Sequence, residues 1–340
     1  MNQISEAHTD LSEYARPRLA RSLLDIATSV VPYLVLTALM YAIADTAPLW
    51  LVLALTIPCG AFLLRTFIVF HDCGHGSFFA SKKANRRFGR CCALMVWQPF
   101  ANWRHDHAVH HGSAGDLDRR GVGDVPTLTV SEYNAKSWRG RLGYRLFRNP
   151  LVMFGVGPIY SLMVAPRLTS FDKRPRLRNS VLLTDVAVAV MVATLGLVFG
   201  WIDFLLVTML PAFLAAAAGV WLFYVQHQFE DVYWEIGDEW TYADAALRGS
   251  SYLRLPRVLQ FFTGNIGLHH VHHLNARIPN YNLQRAHDEN AVFSDVPVLT
   301  LRDGLRCSRL KLIDTESHRL VTFAEARVAG AVPASAISGP

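Results

Sequence analysis

The chain has 340 residues, a net charge of +6 and a hydrophobic fraction of 51%, a combination that is unusual for a soluble protein of this size. The apolar residues fall in long runs, and the lysines and arginines lie between those runs. This separation is typical of a membrane protein with basic cytoplasmic loops. We therefore expect a bilayer environment and no nucleic-acid partner.

Four apolar segments are long enough to cross a hydrocarbon layer of about 30 Å. They run from about 26 to 44, 48 to 70, 181 to 201 and 204 to 225. The link within each pair is only a few residues long, so each pair is predicted to form a helical hairpin. The predicted fold is all-α, with four transmembrane helices in two hairpins and a cytoplasmic helical cap that holds a histidine-rich di-metal site.

The predicted membrane domain extends from residue 22 to residue 300. We expect residues 1–21 to form a cytoplasmic N-terminal tail. Residues 301–340 are expected to form a C-terminal tail that is partly disordered, because its end is rich in small residues.

Charge sets the predicted orientation. The two short links contain no Lys or Arg, whereas the N-terminal tail and the segments 81–148 and 167–178 are rich in both. The positive-inside rule places these segments and both termini in the cytoplasm. Two shorter apolar stretches, 91–101 and 151–165, are expected to be interfacial or buried helices, because a single crossing by either would separate the histidines described next.

Ten of the fourteen histidines lie in three short clusters, and one more, His227, follows the fourth apolar segment. Residues three or four apart share a helix face, so each cluster can direct its imidazoles at one point. Nine histidines fit this pattern or end a span: His71, His75, His107, His110, His111, His227, His269, His272 and His273. The other five are expected to be mainly structural or solvated: His8, His105, His270, His287 and His318.

Nine imidazoles are more than one metal ion binds, and zinc normally takes three or four protein ligands. We therefore expect two metal ions, and two irons that handle oxygen are the interpretation we favour among the metals that imidazole suits. Four polar residues adjoin the clusters and could accept the spare ring N–H of a ligand: Asp72, Asp106, Glu230 and Asn265.

The residues around these histidines resemble those of the membrane fatty-acid desaturases, over roughly residues 30 to 290. The segments in question read HDCGHGSFF from residue 71, DVPTLTV from residue 124, QHQFE from residue 226 and GNIGLHHVHHL from residue 264. They are similar to the acyl-lipid branch, which includes delta-12 (omega-6) desaturases and bacterial relatives. RIPNYN, from residue 277, extends the similarity.

The resemblance implies that the nine histidines bind two irons and that the enzyme introduces a cis double bond into a fatty-acyl chain, which we expect to be lipid-linked. Two hydrogens leave an unactivated methylene pair, dioxygen is reduced to water and two electrons come from outside. Some relatives carry a fused cytochrome b5 domain with an HPGG motif, which is absent here. A separate donor is therefore expected, either a ferredoxin or a free cytochrome b5.

Two other functions stay open from the sequence. The same histidine arrangement serves di-iron hydroxylases and ketolases of alkanes, sterols and carotenoids, and spacing alone does not separate desaturation from oxygen insertion. A metal transporter or sensor would need ionisable groups inside the spans and a path across the membrane. The predicted spans are nearly free of such groups, which argues against transport.

Overall fold

The computed structural model describes residues 11–168 and 174–326, and most of its regular structure is helical. Residues 1–10 with His8, residues 169–173, and residues 327–340 of the predicted C-terminal tail lie outside the described residues.

Fifteen helices are numbered here in chain order along the described residues. They are α1 (Leu19–Ala27), α2 (Val30–Ile43), α3 (Leu49–His75), α4 (Lys82–Val96), α5 (Phe100–Ser113), α6 (Val130–Ala135), α7 (Trp138–Phe147), α8 (Val152–Leu168), α9 (Pro175–Phe199), α10 (Trp201–His227), α11 (Tyr242–Leu247), α12 (Arg257–Phe262), α13 (His269–Leu274), α14 (Asn280–Glu289) and α15 (Leu301–Cys307). Helices α8 and α10 contain π-helical turns, and short 3-10 turns occur at Leu11–Glu13, Gly237–Glu239 and Ala291–Phe293.

Two small sheets complete the regular structure of the described residues. Their strands are β1 (Leu128–Thr129), β2 (Tyr252–Leu253), β3 (Val298–Leu299), β4 (Leu312–Asp314) and β5 (Arg319–Val321). In the first sheet, β4 pairs with β1 in parallel and with β5 antiparallel, and in the second, β2 and β3 are parallel. Both sheets tie late parts of the chain to earlier ones.

Four helical stretches of the described chain are long and apolar enough to cross a membrane: Leu19–Ile43, Leu49–His75, Pro175–Phe199 and Trp201–His227. The predicted all-α membrane fold with four spans is confirmed. The second and fourth stretches extend beyond the predicted limits of 70 and 225, so that His75 and His227 are their last residues. Long apolar helices therefore deliver histidines directly at their ends.

Two glycines allow the end of α3 to carry histidines against a neighbouring helix. Gly76 adopts a left-handed conformation with φ of +74° and ends the helix one residue after His75. A Cβ at Gly74 would lie 2.8 Å from the ring of Trp103 on α5, so only a glycine permits this approach. The ring of Trp103 in turn stacks on His107, with centroids 4.5 Å apart.

The two shorter apolar stretches behave differently from each other. Residues 91–101 include the end of α4 and the start of α5, where Cys92, Val96 and Phe100 are buried, as expected of a buried segment. Residues 152–165 of the second stretch belong to α8, which follows α7 at an angle of 57°. Together α7 and α8 are long and apolar enough for a bent crossing or a re-entrant segment.

Both described chain ends pack into the body, in contrast to the predicted tails. Leu11 and Tyr14 are buried near the N-terminus. Residues 301–326, predicted to be tail, form α15, β4 and β5, and Leu312 and Leu320 are buried there. The strands have three residues each, which is too short for an alternating pattern to reveal them in the sequence.

A buried arginine anchors this C-terminal segment. Arg148, at the end of α7, is fully buried and donates hydrogen bonds to acceptors from three parts of the chain: Pro126 O, Thr127 Oγ1, Tyr224 OH, Gln228 Oε1 and Leu310 O. Lys311 Nζ donates to the carbonyl oxygen of Arg148 at 2.5 Å. The position of the chain after α15 is therefore fixed relative to α7 and α10.

Candidate metal centre

The structure brings the nine phased histidines into one cluster. They come from the C-terminal end of α3, the second half of α5, the last residue of α10 and the six-residue helix α13. Most of these residues are buried, while His75 and His107 are half-buried. Two hydrophobic spans and two short helices thus meet where their histidines converge.

The cluster divides into two groups, and within each group the potential ligand atoms lie within 4.8 Å of one another. Group one contains His71, His75, His107 and His272, and group two contains His110, His227, His269 and His273. The ninth, His111, joins group one, because its Nε2 lies 3.2 Å from Nε2 of His107 and 3.0 Å from Nε2 of His272.

The expectation that each sequence cluster points at a single locus is therefore wrong for two of the three. Helix α5 contributes His107 to group one and His110 to group two. Helix α13 likewise contributes His272 to group one and His269 to group two. The side chains of residues three apart differ in direction by about 60° around a helix axis. Here that angle places the two imidazoles of each pair in adjacent groups.

Two ring nitrogens of group two face each other with no proton to share. Nδ1 of His227 lies 3.1 Å from the carbonyl oxygen of Gly249, and Nδ1 of His110 lies 2.5 Å from Oδ1 of Asp124. Both oxygens accept hydrogen bonds, so in neutral rings each Nδ1 is protonated and each Nε2 has a bare lone pair. The two Nε2 atoms nevertheless lie 3.2 Å apart, which is repulsive unless both bind one cation.

The remaining nitrogens also fit a metal centre. Burial, followed by the neighbouring imidazoles, holds the pKa of five rings outside the spans well below the ordinary value for histidine: His107, His111, His269, His272 and His273. Neutral rings of this kind are the form that binds metal. Within the described chain, the buried Nε2 of His75 has no hydrogen-bond partner, although buried polar atoms normally have one.

The four polar residues predicted to support the ligands have different positions. Asp72 Oδ1 lies 3.2 Å from Nδ1 of His71. Asp106 accepts a hydrogen bond from Asn102, and Asn265 donates to the carbonyl oxygen of Asn280. The fourth differs: the exposed carboxylate of Glu230 pairs with Arg319.

The prediction for Glu230 is contradicted by the path of the chain. Helix α10 ends at His227, and Gln228 leaves helical geometry with φ of −132° and ψ of 68°. Glu230, only three residues after His227, therefore lies at the surface.

Two further groups that contact ligand histidines have no signal in the sequence. They are the carboxylate of Asp124, which receives Nδ1–H of His110, and the carbonyl oxygen of Gly249, which receives Nδ1–H of His227. Asp124 lies fourteen residues from its histidine and carries no helical phase relative to it. A backbone carbonyl leaves no signal in the sequence at all.

The histidines outside the nine have other surroundings. Nε2 of His270 lies 3.0 Å from Nδ1 of His287, so these two form a separate pair beside the ligand helix. His318 is exposed and lies 3.3 Å from a carboxylate oxygen of Glu235. His105 is half-buried and belongs to neither group.

Comparison with known proteins adds a family to this geometry. Residues 48–299 match the sequence model of the fatty acid desaturases. A fatty acid desaturase of Bacillus subtilis is 42% identical over 313 residues, which is 92% of this chain and 89% of that protein. From Synechocystis, an sn-1 acyl-lipid omega-3 desaturase (ferredoxin) is 31% identical over 67% of this chain and 64% of its own length, and an sn-1 oleoyl-lipid 12-desaturase is 29% identical over 70% and 68%.

Replacement of His227 by alanine tests the ligand that no helical spacing supports, since this histidine stands outside the three clusters. We expect metal content to fall and turnover to drop by at least about 100-fold. Removal of a ligand lowers the affinity for the metal ion more than loss of a supporting hydrogen bond does. The matched control is His318→Ala on the surface, which should keep most of both. Near-normal turnover and metal in His227→Ala would remove this residue from the ligands.

Proposed function

Because this chain belongs to the fatty acid desaturase family, it is a membrane oxidoreductase that desaturates fatty-acyl chains, and we propose that its substrate is an acyl chain esterified in a membrane glycerolipid. The observation that carries the chemistry is the pair of facing histidine groups at the ends of two apolar spans. The names of two relatives, which specify lipid-linked acyl chains, support the choice of head group.

We propose that both metal ions are iron. Group one with His111 would hold one ion through five imidazoles, and group two would hold the other through four. Five Nε2 pairs within the cluster are 2.9 to 3.2 Å apart, close enough for one ion to bind both members of a pair. Five imidazoles in group one exceed the three or four protein ligands that zinc normally takes, which supports iron.

The irons, when bound, supply the capacity to activate dioxygen. The protein residues hold and orient them: Asp124 and Gly249 keep protons on the outer ring nitrogens of His110 and His227, which leaves the inner nitrogens free to bind metal. The overall reaction removes two hydrogens from adjacent methylenes and consumes one O₂, two electrons and two protons, giving one double bond and two waters.

We propose that the metal centre and both termini are cytoplasmic. Histidines that share one cluster lie on one side of the bilayer, so the chain between His111 and His227 crosses it an even number of times. Helices α9 and α10 supply two crossings. The bent pair α7–α8 then re-enters the membrane or lies along it rather than crossing. The basic residues on the histidine side support the cytoplasmic assignment.

We propose that a ferredoxin supplies the electrons, as the name of one relative specifies for that protein. It would dock on an exposed basic surface of α4, which we call the α4 basic surface: Lys82, Lys83, Arg86, Arg87 and Arg90. The buried Asn85 joins α4 to the chain that follows the first histidines, since its side chain accepts from the N–H of Phe79 and donates to its carbonyl oxygen. The surface is therefore held rigidly beside α3.

Expression in a host that is fed saturated or mono-unsaturated acyl chains tests the reaction. We expect a new double bond, located by mass spectrometry, that appears in glycerolipid before it appears in acyl-CoA, with His272→Ala as the inactive control. A hydroxylated or ketone product would contradict desaturation. A desaturated product that appears first in acyl-CoA would contradict the lipid-linked substrate alone.

The rate of iron reduction by ferredoxin tests the α4 basic surface. Ferredoxins are usually acidic, so reduction should slow as ionic strength rises from about 0.01 to 0.15 M, because the Debye length shrinks from about 30 to 8 Å. Charge reversal in a Lys82→Glu/Lys83→Glu/Arg86→Glu variant should weaken this salt dependence and leave turnover with a small chemical reductant unchanged.

The matched control reverses the exposed Arg139 and Arg141 on α7 and should retain the salt dependence of the wild type. A donor-driven rate that responds to neither salt nor charge reversal on α4 would contradict docking there. The lysines and arginines of α4 would then serve only to contact anionic lipid head groups. Equal stimulation by cytochrome b5 would contradict the choice of ferredoxin.

A further inference from the structure

A continuous chain of buried hydrogen bonds ends on the ligand His71, and we call it the Asn280 relay: Arg65, Asp25, Asn280 and Asp72. Arg65 Nη2 donates to Asp25 Oδ1 at 2.7 Å. The amide Nδ2 of Asn280 donates both to Asp25 Oδ2 at 2.6 Å and to Asp72 Oδ2 at 3.0 Å. Asp72 Oδ1 in turn faces Nδ1 of His71 at 3.2 Å.

The relay connects three separate elements. Asp25 belongs to α1, Arg65 and Asp72 belong to α3, and Asn280 is the first residue of α14. None of the four is more than 8% exposed. Removal of one partner from a charged pair buried to this degree strongly destabilises the folded protein. The four side chains are therefore expected to keep this arrangement.

Arg65, at one end of the relay, and Asn280, in its middle, also form hydrogen bonds outside the relay. The guanidinium of Arg65 also donates to the carbonyl oxygen of Phe261 and lies 4.1 Å from the centroid of its ring. The carbonyl oxygen of Asn280 accepts from Asn265 at 3.3 Å. Asn265 has a left-handed backbone with φ of +58°, and its contact with Asn280 accounts for its place near the histidines.

Asn280 solves a charge problem between two carboxylates. Asp25 and Asp72 are both buried and would repel each other, but one amide group with two N–H bonds satisfies both. The backbone N–H of Asn280 also donates to Asp72 Oδ2, at 2.8 Å. With Oδ2 occupied twice, Oδ1 is directed to His71, whose Nδ1 then donates and whose Nε2 has the free lone pair.

We propose that Asp25 and Asn280 are positioning residues for the metal centre, which act through Asp72 to fix the ring orientation and tautomer of His71. This inference relies on the two-metal site of the proposed function. Loss of either residue should lower the affinity of group one for its ion by about 10- to 100-fold, as expected for groups that orient a ligand. The ion of group two should stay bound, because the outer ring nitrogens of His110 and His227 contact Asp124 and Gly249 instead.

Two substitutions of nearly unchanged shape test the relay. Asn280→Asp replaces the bridging donor with a third carboxylate, and Asp25→Asn removes the charge opposite Arg65. Full-length protein is purified in detergent, its monodisperse fraction is dialysed against increasing chelator, and iron per chain is measured with the Mössbauer spectrum. We expect these variants to reach about one iron at chelator concentrations at which the wild type keeps about two, with one iron environment lost.

The matched control is Asp185→Asn. It breaks another aspartate–arginine pair at a span, in which Asp185 Oδ1 lies 3.0 Å from Arg167 Nε. This control should keep two irons and the wild-type spectrum.

The outcomes separate the relay from the proposed function. Variants that keep two irons and the wild-type spectrum overturn the relay, even if their melting temperature falls, because the network would then be structural only. If Asn280→Asp does not fold, Asp25→Asn decides the question by the same criteria. A wild-type protein that never binds two irons would instead overturn the proposed function.

Discussion

Facing lone pairs on buried imidazoles are the constraint on which the rest of this structure depends. Nε2 of His110 and Nε2 of His227 are 3.2 Å apart, although both outer nitrogens are already committed to oxygen acceptors. A shared cation turns this repulsion into attraction. Bound metal would therefore stabilise the cluster as well as supply chemistry, and we expect the helices that carry the nine histidines to be held together partly by ions.

The membrane supplies the other half of the arrangement. Helices α3 and α10 are anchored by their apolar residues and end in histidines, so the bilayer fixes the level at which the ligands lie. Helices α5 and α13 are too polar to span and add their histidines from the same side. An acyl chain that enters from the lipid would thus meet the metal centre at the end of the spans, where a basic surface faces water.

The sequence predicted those features that have a period or a length. Apolar runs predict the four spans, and spacings of three and four residues identify eight of the nine histidines that the structure brings together. The ninth, His227, is identified by its place at the end of a span. The sequence does not predict that α5 and α13 each contribute to both groups. His107 and His110 are three residues apart, and a helical pattern assigns such residues to the same face. Their assignment depends on what packs opposite.

Contacts between distant segments leave no pattern in the sequence. In the sequence, Asn280 is distinguished only as part of the segment RIPNYN, which is similar to the desaturases. Its bridge from Asp25 to Asp72 depends on the packing of α14 against α1 and α3. Glu230 shows the opposite error, since proximity in sequence to His227 suggested a role that the end of α10 prevents. The strands after residue 301 are too short for any pattern and form because Arg148 and Lys311 fix the chain.

Metal analysis of purified wild-type protein tests the central claim most directly. Protein from iron-replete cells, measured by inductively coupled plasma mass spectrometry on the monodisperse fraction, should contain about two irons per chain, and chelation should abolish turnover and lower the melting temperature together. Fully active protein that contains stoichiometric zinc, or one metal ion per chain, would contradict the account.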